Sequence, residues 1–313
     1  MKLVVAAAVS TSLLAWLAQQ QPPIYRTSTT TVSVFATVTD KDGRLVPDLT
    51  ADDFFVFDNG RPQPITLFNA GDQPITTVVM VDMSGSMAPN VSRVRAGAVQ
   101  FFTRLLPADK ARVGIIVGRE PKLNSPFTND LNDLIRALWI DADIGDGTPL
   151  WSGVNLAMSA LAEPKPGGRR VVLVLSDGYD TESRRFPPPS PLDLLIQRTQ
   201  SEDVMVYAIG LKATAGSVRT GQLSHLQFDP DPGLRVLALE SGGWYFELLP
   251  DDDLGATFAR VADELHRQYE LGYRVPAFDG KIHQIEVQVT KPGLKIRARK
   301  SYQAPARVSH PSK

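Results

Sequence analysis

The chain has 313 residues, of which 43% are hydrophobic and 21% charged, a composition ordinary for a globular protein and long enough for one large domain with a small companion. The formal net charge of -1 gives no electrostatic basis for binding nucleic acid or an anionic membrane. Because cysteine is absent, we expect no disulfide, thiolate metal site, cysteine nucleophile or lipid anchor on an N-terminal cysteine.

An export signal is predicted over residues 1–21. Lys2 precedes the apolar run Leu3–Ala18, and polar glutamines follow that run. The run is shorter than the roughly 20 residues that span a bilayer comfortably. We therefore expect export to the periplasm, the cell surface or the medium, with the signal removed. A retained anchor is the alternative, because cleavage after Ala18 would leave Trp16 where a small residue is usual.

Residues 24–72 have the character of β-strands. Thr30–Thr39 is rich in valine and threonine with alternating apolar positions, which predicts a strand that buries one face. Lys41–Arg44 predicts a hairpin turn, Thr50 is a candidate cap for a short helical turn, and Pro64–Phe68 predicts a further strand. The face of the first strand that we expect to be buried comprises Val32, Val34, Ala36 and Val38.

Residues 268–304 again predict strands, over Tyr269–Val275, Ile282–Thr290 and Leu294–Arg299. Neither terminal segment has enough strands to be stable alone. We therefore predict that both segments form one small β-sandwich into which the central part of the chain is inserted. Two separate appendages are the alternative, and residues 305–313 are expected to form a flexible tail.

The central part, residues 74–267, alternates apolar strands with helical patterns and predicts a doubly wound, mostly parallel α/β sheet. In such a sheet of order 3-2-1-4-5-6, the first and fourth strands are neighbours, and ligands bind where the order reverses. We expect Thr128 or Asn129 to cap the second helix. The predicted helices include Val91–Leu106, Trp151–Leu161, Pro191–Gln200, Leu234–Leu239 and Asp251–His266, and the predicted strands include Val113–Val117, Val204–Ile209 and Trp244–Phe246.

A cluster of oxygen-bearing side chains follows the first strand of this central part. Val78–Val81 is a continuous apolar run, typical of a strand covered on both faces, and Asp82 lies where it stops. Ser84 and Ser86 follow at alternate positions. A carboxylate and two hydroxyls are hard oxygen ligands, which suit magnesium or manganese better than zinc or copper. The alternative is that Asp82 or Ser84 merely caps the following helix.

Two further stretches favour the metal-binding interpretation. Gly145–Leu150 predicts a flexible loop with the hydroxyl of Thr148 at its tip. Val171–Leu175 is a second buried strand, and Asp177 lies just beyond its end. If the strands before Asp82 and Asp177 are neighbours, the two carboxylates lie close together and repel one another unless a cation lies between them.

This set of residues, in this order, resembles the von Willebrand factor type A domain and its metal-ion-dependent adhesion site. The resemblance implies that Ser84, Ser86 and Thr148 bind the ion directly, while Asp82 and Asp177 act through water. It also implies Mg²⁺ or Mn²⁺, with Ca²⁺ less favoured, and an open coordination position that an Asp or Glu carboxylate of a partner protein fills. The flanking strands are similar to those of a class of exported bacterial type A proteins.

The predicted function is metal-dependent protein binding at the cell envelope, in adhesion or assembly, rather than catalysis. The sequence has neither a Gly-x-Ser-x-Gly elbow nor a Gly-x-x-x-x-Gly-Lys loop, and neutral hydroxyl ligands are poor at activating water. Two alternatives remain open. The site could stabilise a contact with the sandwich or with another subunit, or the protein could assist assembly of another complex. The four histidines, expected at the surface or at helix ends, are His225, His266, His283 and His310.

The loops around the predicted ion site should determine which partner binds. They are Arg119–Asn129, Tyr179–Pro191 and Lys212–Pro232. Residues just past Asp177 could contact a ligand, and the alternative is that they are solvated loop residues. These residues are Tyr179, Asp180, Arg184 and Arg185.

Overall fold

The computed structural model describes residues 31–139, 147–162, 168–177, 180–181, 189–216, 225–228 and 230–307. The predicted signal over residues 1–21 lies outside this part of the chain, as do residues 308–313 of the predicted tail. In the described part, no helix is long and apolar enough to cross a membrane.

The strands are β1 (Thr31–Thr39), β2 (Phe54–Asp58), β3 (Arg61–Gln63), β4 (Leu67–Asn69), β5 (Ile75–Asp82), β6 (Lys110–Ile116), β7 (Lys122–Leu123), β8 (Arg169–Ser176), β9 (Val204–Leu211), β10 (Ala213–Gly216), β11 (His225–Phe228), β12 (Tyr245–Leu248), β13 (Tyr269–Arg274), β14 (Ile282–Val289), β15 (Lys295–Ala298) and β16 (Ser301–Gln303). The helices are α1 (Val91–Phe102), α2 (Leu131–Leu138), α3 (Leu150–Ala162), α4 (Pro191–Glu202), α5 (Pro232–Glu240) and α6 (Leu254–His266).

The central sheet has the order β12-β9-β8-β5-β6-β7, which is the predicted order, and β7 is the one antiparallel member among the described strands. Every residue of β5 and β9 is buried, because helices cover both faces of the sheet. Helices α1, α2 and α6 pack on one face, and α3, α4 and α5 pack on the other. The predicted α/β class and the adjacency of the first and fourth strands of this sheet are confirmed.

A β-sandwich contains strands from both ends of the described chain. Its two sheets have the orders β15-β1-β13-β4 and β16-β14-β2-β3, so each combines strands that precede the central sheet with strands that follow it. The four alternate residues of β1 that were predicted to face the core are all buried. The prediction of a single shared sandwich is therefore confirmed, and the alternative of two separate appendages is wrong.

The sandwich packs against the end of the central sheet at which β8 begins. The guanidinium of Arg169, the first residue of β8, lies 4.6 Å from the ring centre of Phe35 on β1 and donates to the carbonyl of Leu265 at the end of α6. Gln268, just past α6, donates to the hydroxyl of Thr37 on β1 at 2.7 Å. The fully buried Glu264 accepts hydrogen bonds from the side chains of Tyr207 and Arg297. These polar contacts join the two parts of the molecule.

Several predicted boundaries need correction. The second helix is capped by Asp130, whose carboxylate accepts from the backbone N–H of Asp133 at 3.0 Å, and not by Thr128 or Asn129. The hydroxyl of Thr128 instead accepts from the N–H of Asp130. The strand predicted at Pro64–Phe68 occupies Leu67–Asn69. The sequence patterns did not predict β3, β7, β10, β11 or β16, which are all four residues or shorter.

The expectation of surface histidines fails at His283. This side chain is buried on β14, and its Nδ1 lies 2.6 Å from a carboxylate oxygen of Asp58. The other oxygen of Asp58 accepts from the hydroxyls of Tyr273 and Tyr302, at 2.9 Å each. A buried carboxylate needs such partners to offset the loss of its hydration, so the cluster forms a polar centre in the sandwich core. His266 does lie at a helix end, where it contacts Asp109.

Candidate metal centre

Asp82 is the last residue of β5. It lies at the C-terminal end of the parallel strands, at the point where the strand order of the central sheet reverses. Its side chain is fully buried. One carboxylate oxygen accepts from the backbone N–H of Ser84 at 2.8 Å, and the other accepts from the hydroxyl of Ser176 on the neighbouring β8 at 2.5 Å. The chain then enters a 3-10 turn over Gly85–Asn90, which leads into α1. The structure therefore holds Asp82 rigidly between the two central strands.

The two serines connect this residue to Asp177. The hydroxyls of Ser84 and Ser86 lie 3.1 Å apart, and the hydroxyl of Ser86 donates to Oδ1 of Asp177 at 2.9 Å. The other oxygen of Asp177, Oδ2, is buried and has no hydrogen-bond partner among the described residues. Four of the five predicted ligands thus form one connected group, and that group presents an unpartnered carboxylate oxygen.

Thr148 lies on the loop that precedes α3 and is nearly buried, with 5% of its surface exposed. Its backbone N–H donates to the hydroxyl of Thr181 at 3.1 Å, and its carbonyl accepts from the N–H of Thr181 at 3.0 Å. Thr181 follows Asp177 by four positions. The structure therefore joins the Thr148 loop to the segment that carries Asp177, through the backbone of Thr148.

Burial and charge make the two carboxylates costly to ionise together. Burial raises the pKa of Asp177 to about 6, and the nearby charge of Asp82 adds to the effect. Burial also raises the pKa of Asp82, although hydrogen bonds from Ser176 and Ser84 oppose that rise. Two buried, like-charged groups favour whatever neutralises them, either a proton or a cation. The electrostatics of this site are therefore compatible with a bound cation, and equally with a bound proton.

The residues present fit a hard divalent ion. Mg²⁺ and Mn²⁺ prefer hydroxyl and carboxylate oxygens as ligands. Oδ2 of Asp177, which has no hydrogen-bond partner among the described residues, could bind such an ion or accept a hydrogen bond from its bound water. The capping alternative is not supported, because α1 begins after Asn90 and no side-chain hydrogen bond caps it or the preceding turn. Within the described ranges, no three His, Cys, Asp or Glu side chains come together as a metal site. Whether the hydroxyl-rich site binds an ion stays a prediction.

The structure adds three residues around the site that the sequence patterns did not single out, namely Ser176, Thr181 and Asp231. Asp180, proposed above as a ligand contact or a solvated loop residue, is instead buried, and its carboxylate accepts from the N–H of Trp151 in α3 at 3.2 Å. The other residues proposed beside it, Tyr179, Arg184 and Arg185, lie outside the described residues. Polar residues directly before and after Asp177 were the available signal, but sequence alone does not reveal which loop each one contacts.

Comparison with known protein families gives a match to part of this sequence. The von Willebrand factor type A domain matches residues 77–179. No protein with a curated description matches the sequence. Similar solved structures include a von Willebrand factor type A protein from Catenulispora acidiphila, 13% identical, with 81% of this chain and 74% of that chain covered and a TM-score of 0.48.

Two further structures are similar at the same level. The pilus adhesin SpaC from Lactobacillus rhamnosus GG, in its open conformation, is 12% identical, with 83% of this chain and 50% of that chain covered and a TM-score of 0.48. An aerotolerance-related membrane protein from Bacteroides fragilis, carrying multiple mutations to serine, is 16% identical, with 61% of this chain and 98% of that chain covered and a TM-score of 0.48.

Proposed function

We propose that this chain, in which residues 77–179 match the von Willebrand factor type A domain, is a protein-interaction module that binds a partner protein through a divalent cation. The ion, Mg²⁺ or Mn²⁺, would be held by Asp82, Ser84, Ser86, Thr148 and Asp177. The three hydroxyls would bind the ion directly, and the two aspartates would act through bound water. When bound, the ion supplies a positive centre for an Asp or Glu carboxylate of the partner.

The observation that carries this proposal is the buried, unpartnered Oδ2 of Asp177 at the end of a chain of hydroxyls. Among the buried atoms without a partner in the described residues, this is the one carboxylate oxygen, and it lies near the second buried carboxylate, of Asp82, so a positive ligand would stabilise it. Neutral hydroxyl ligands leave the charge of the ion largely uncompensated, which favours attraction of an anionic group from outside. Desolvation at this edge of the sheet strengthens that attraction.

The chain's own residues have separate parts in this mechanism. Ser176 fixes the Asp82 carboxylate, and the N–H of Ser84 fixes its other oxygen, so that Asp82 keeps one orientation when a ligand arrives. Ser86 aligns Asp177 through the hydrogen bond to Oδ1 and leaves Oδ2 free. The site is therefore organised in advance, which reduces the entropy that binding must overcome.

The structure favours a foreign ligand over a contact with the molecule's own sandwich. The site lies at the C-terminal end of β8, beside Ser176. Arg169, at the N-terminal end of β8, contacts Phe35 of the sandwich. Seven residue steps of a strand place these ends roughly 23 Å apart, at about 3.3 Å per residue. We propose that the function is adhesion or assembly at the cell envelope, without catalysis by this chain.

The first experiment titrates Mg²⁺ and Mn²⁺ into the protein by calorimetry, beside Asp82→Ala and the control Thr103→Ala. Thr103, just past α1, is exposed, and among the described residues its hydroxyl donates only to the carbonyl of Gln100. We expect about one equivalent of ion bound by the wild type and the control, and none by Asp82→Ala. An ion affinity that survives Asp82→Ala would contradict the assignment.

A second experiment tests the partner chemistry. A library of peptides that contain a single Asp or Glu is screened against the ion-loaded protein, and each hit is repeated with Asn or Gln in that position and with Thr148→Ala. We expect binding to require the carboxylate, the ion and the Thr148 hydroxyl. Peptides that bind equally well in excess chelator would show that the interaction does not use this site.

A further inference from the structure

Two residues, four and five positions past the end of β8, connect the Thr148 loop with the beginnings of α3 and α5. The pair is Asp180 and Thr181. The carboxylate of Asp180 accepts from the N–H of Trp151 in the first turn of α3, and the N–H of Asp180 donates to Asp231 at 3.2 Å. Asp231 also caps α5 by accepting from the N–H of Gly233. Asp180 is therefore anchored to the beginnings of two helices.

Thr181 uses the same anchored segment to hold the Thr148 loop. Its hydroxyl accepts from the N–H of Thr148, and its N–H donates to the carbonyl of Thr148. Thr148 is nearly buried, whereas Thr181 is exposed. Two opposed hydrogen bonds between the same two residues restrict both sliding and rotation of one backbone segment against the other. The position of Thr148 relative to Asp177 thus depends on a residue outside the predicted ligand set.

We propose that Thr181 is a positioning residue that sets the preference of the site for Mg²⁺ over Ca²⁺. This inference rests on the proposed ion site. Mg²⁺ requires near-ideal octahedral geometry with short ligand distances of about 2.1 Å, whereas Ca²⁺ accepts six to eight ligands at about 2.3–2.6 Å in flexible arrangements. A Thr148 backbone that is held at both its N–H and its carbonyl restricts where its hydroxyl can lie, which favours the smaller ion. A loosened backbone would lose that selectivity.

The nearly isosteric change Thr181→Val isolates this effect. Valine cannot accept the hydrogen bond from the N–H of Thr148, but its own N–H can still donate to the Thr148 carbonyl. Loss of one backbone hydrogen bond corresponds to about tenfold in an equilibrium constant. We expect Mg²⁺ affinity to fall about tenfold and Ca²⁺ affinity to fall by less, so that the ratio of the two dissociation constants shifts toward Ca²⁺. Thr181→Ser, which keeps the hydroxyl, should restore the wild-type ratio.

Calorimetric titration of both ions into wild type, Thr181→Val, Thr181→Ser and the control Thr103→Val tests this proposal, with the unfolding temperature of each variant measured in EDTA. A ratio shifted toward Ca²⁺ in Thr181→Val alone supports it, provided that the unfolding temperature falls by no more than the loss of one hydrogen bond explains. An unchanged Mg²⁺ affinity in Thr181→Val overturns it while leaving the ion site intact. An equal loss of both ions with a lowered unfolding temperature also overturns it, because that result shows general destabilisation. If the wild type binds neither ion, the proposed function itself fails, and this inference fails with it.

Discussion

Replacing Asp177 with asparagine should stabilise the metal-free protein and at the same time remove its response to a divalent cation. Burial, with the charge of Asp82 adding to it, raises the pKa of Asp177 from its ordinary 3.8 to about 6. A carboxyl group with a raised folded-state pKa makes its full contribution to stability below its unfolded pKa. That contribution is lost as the pH rises through the folded pKa.

The magnitude follows from the shift. A rise of about two pKa units corresponds to about 3 kcal/mol of folding free energy, at about 1.4 kcal/mol per unit, and this penalty is fully present at neutral pH. Asparagine cannot ionise, and it keeps an oxygen that accepts from Ser86. We expect the free energy of unfolding of Asp177→Asn to exceed that of the wild type by about 1–3 kcal/mol near pH 7. Near pH 4 the difference should disappear, because the wild-type carboxyl is then protonated.

Urea unfolding in EDTA at both pH values measures this difference, and repetition with saturating Mg²⁺ measures the ion response. The wild type should gain about 2.7 kcal/mol when the ion is present at 100 times its dissociation constant, and the variant should gain nothing. Asp42→Asn, at an exposed turn of the sandwich, is the control and should change neither quantity. A variant that is less stable than the wild type in EDTA at neutral pH, or one that gains equally from Mg²⁺, would refute this account of the site.

Three further predictions concern the scaffold. Tyr273→Phe removes one of the three donors to the buried Asp58 and should lower the free energy of unfolding by about 1–2 kcal/mol in urea titrations. An unchanged free energy of unfolding would show that water replaces the hydroxyl. Burial raises the pKa of Tyr207 to about 12, so the protein should lose stability as the pH rises above about 10. In thermal unfolding, Tyr207→Phe should make the unfolding temperature less dependent on pH in that range. A Cβ at Gly153 would lie 2.6 Å from the side chain of Ile116, so Gly153→Ala should lower the unfolding temperature by overpacking α3 against β6. An unchanged unfolding temperature would show that Ile116 moves aside at little cost.

Strand order and the ends of strands were predictable because long apolar runs have a simple physical cause. A strand with helices on both faces is typically apolar along its middle, as β5 is over Val78–Val81 and β8 over Val171–Leu175. The polar residues that follow such a run lie at the C-terminal end of the strand. Asp82 and Asp177 were found in this way. The link from Thr181 to Thr148 was not, because it joins two irregular loops whose paths follow no periodicity.

His283 shows the same limit from another direction. The alternation of β14 places this histidine on the same face as the buried Ile285, which is a signal that it points into the core. That signal was outweighed by the general expectation that histidine lies at the surface. Its partner Asp58 lies 225 positions away in the chain, and nothing local in the sequence connects the two residues.

The pairing of β4 with β13 has a consequence for how the molecule assembles. Asn69 and Glu270 are paired neighbours in one sheet, although about 200 residues separate them in the chain. Closing a disordered loop of that length is entropically costly and slow, whereas a folded central domain shortens the distance its ends must travel. We expect hydrogen exchange during refolding to protect β5 and β8 before β1 and β13, and simultaneous protection would contradict this order. The sandwich then completes itself last, so that a fully paired β1 reports that the central domain beside it has already folded.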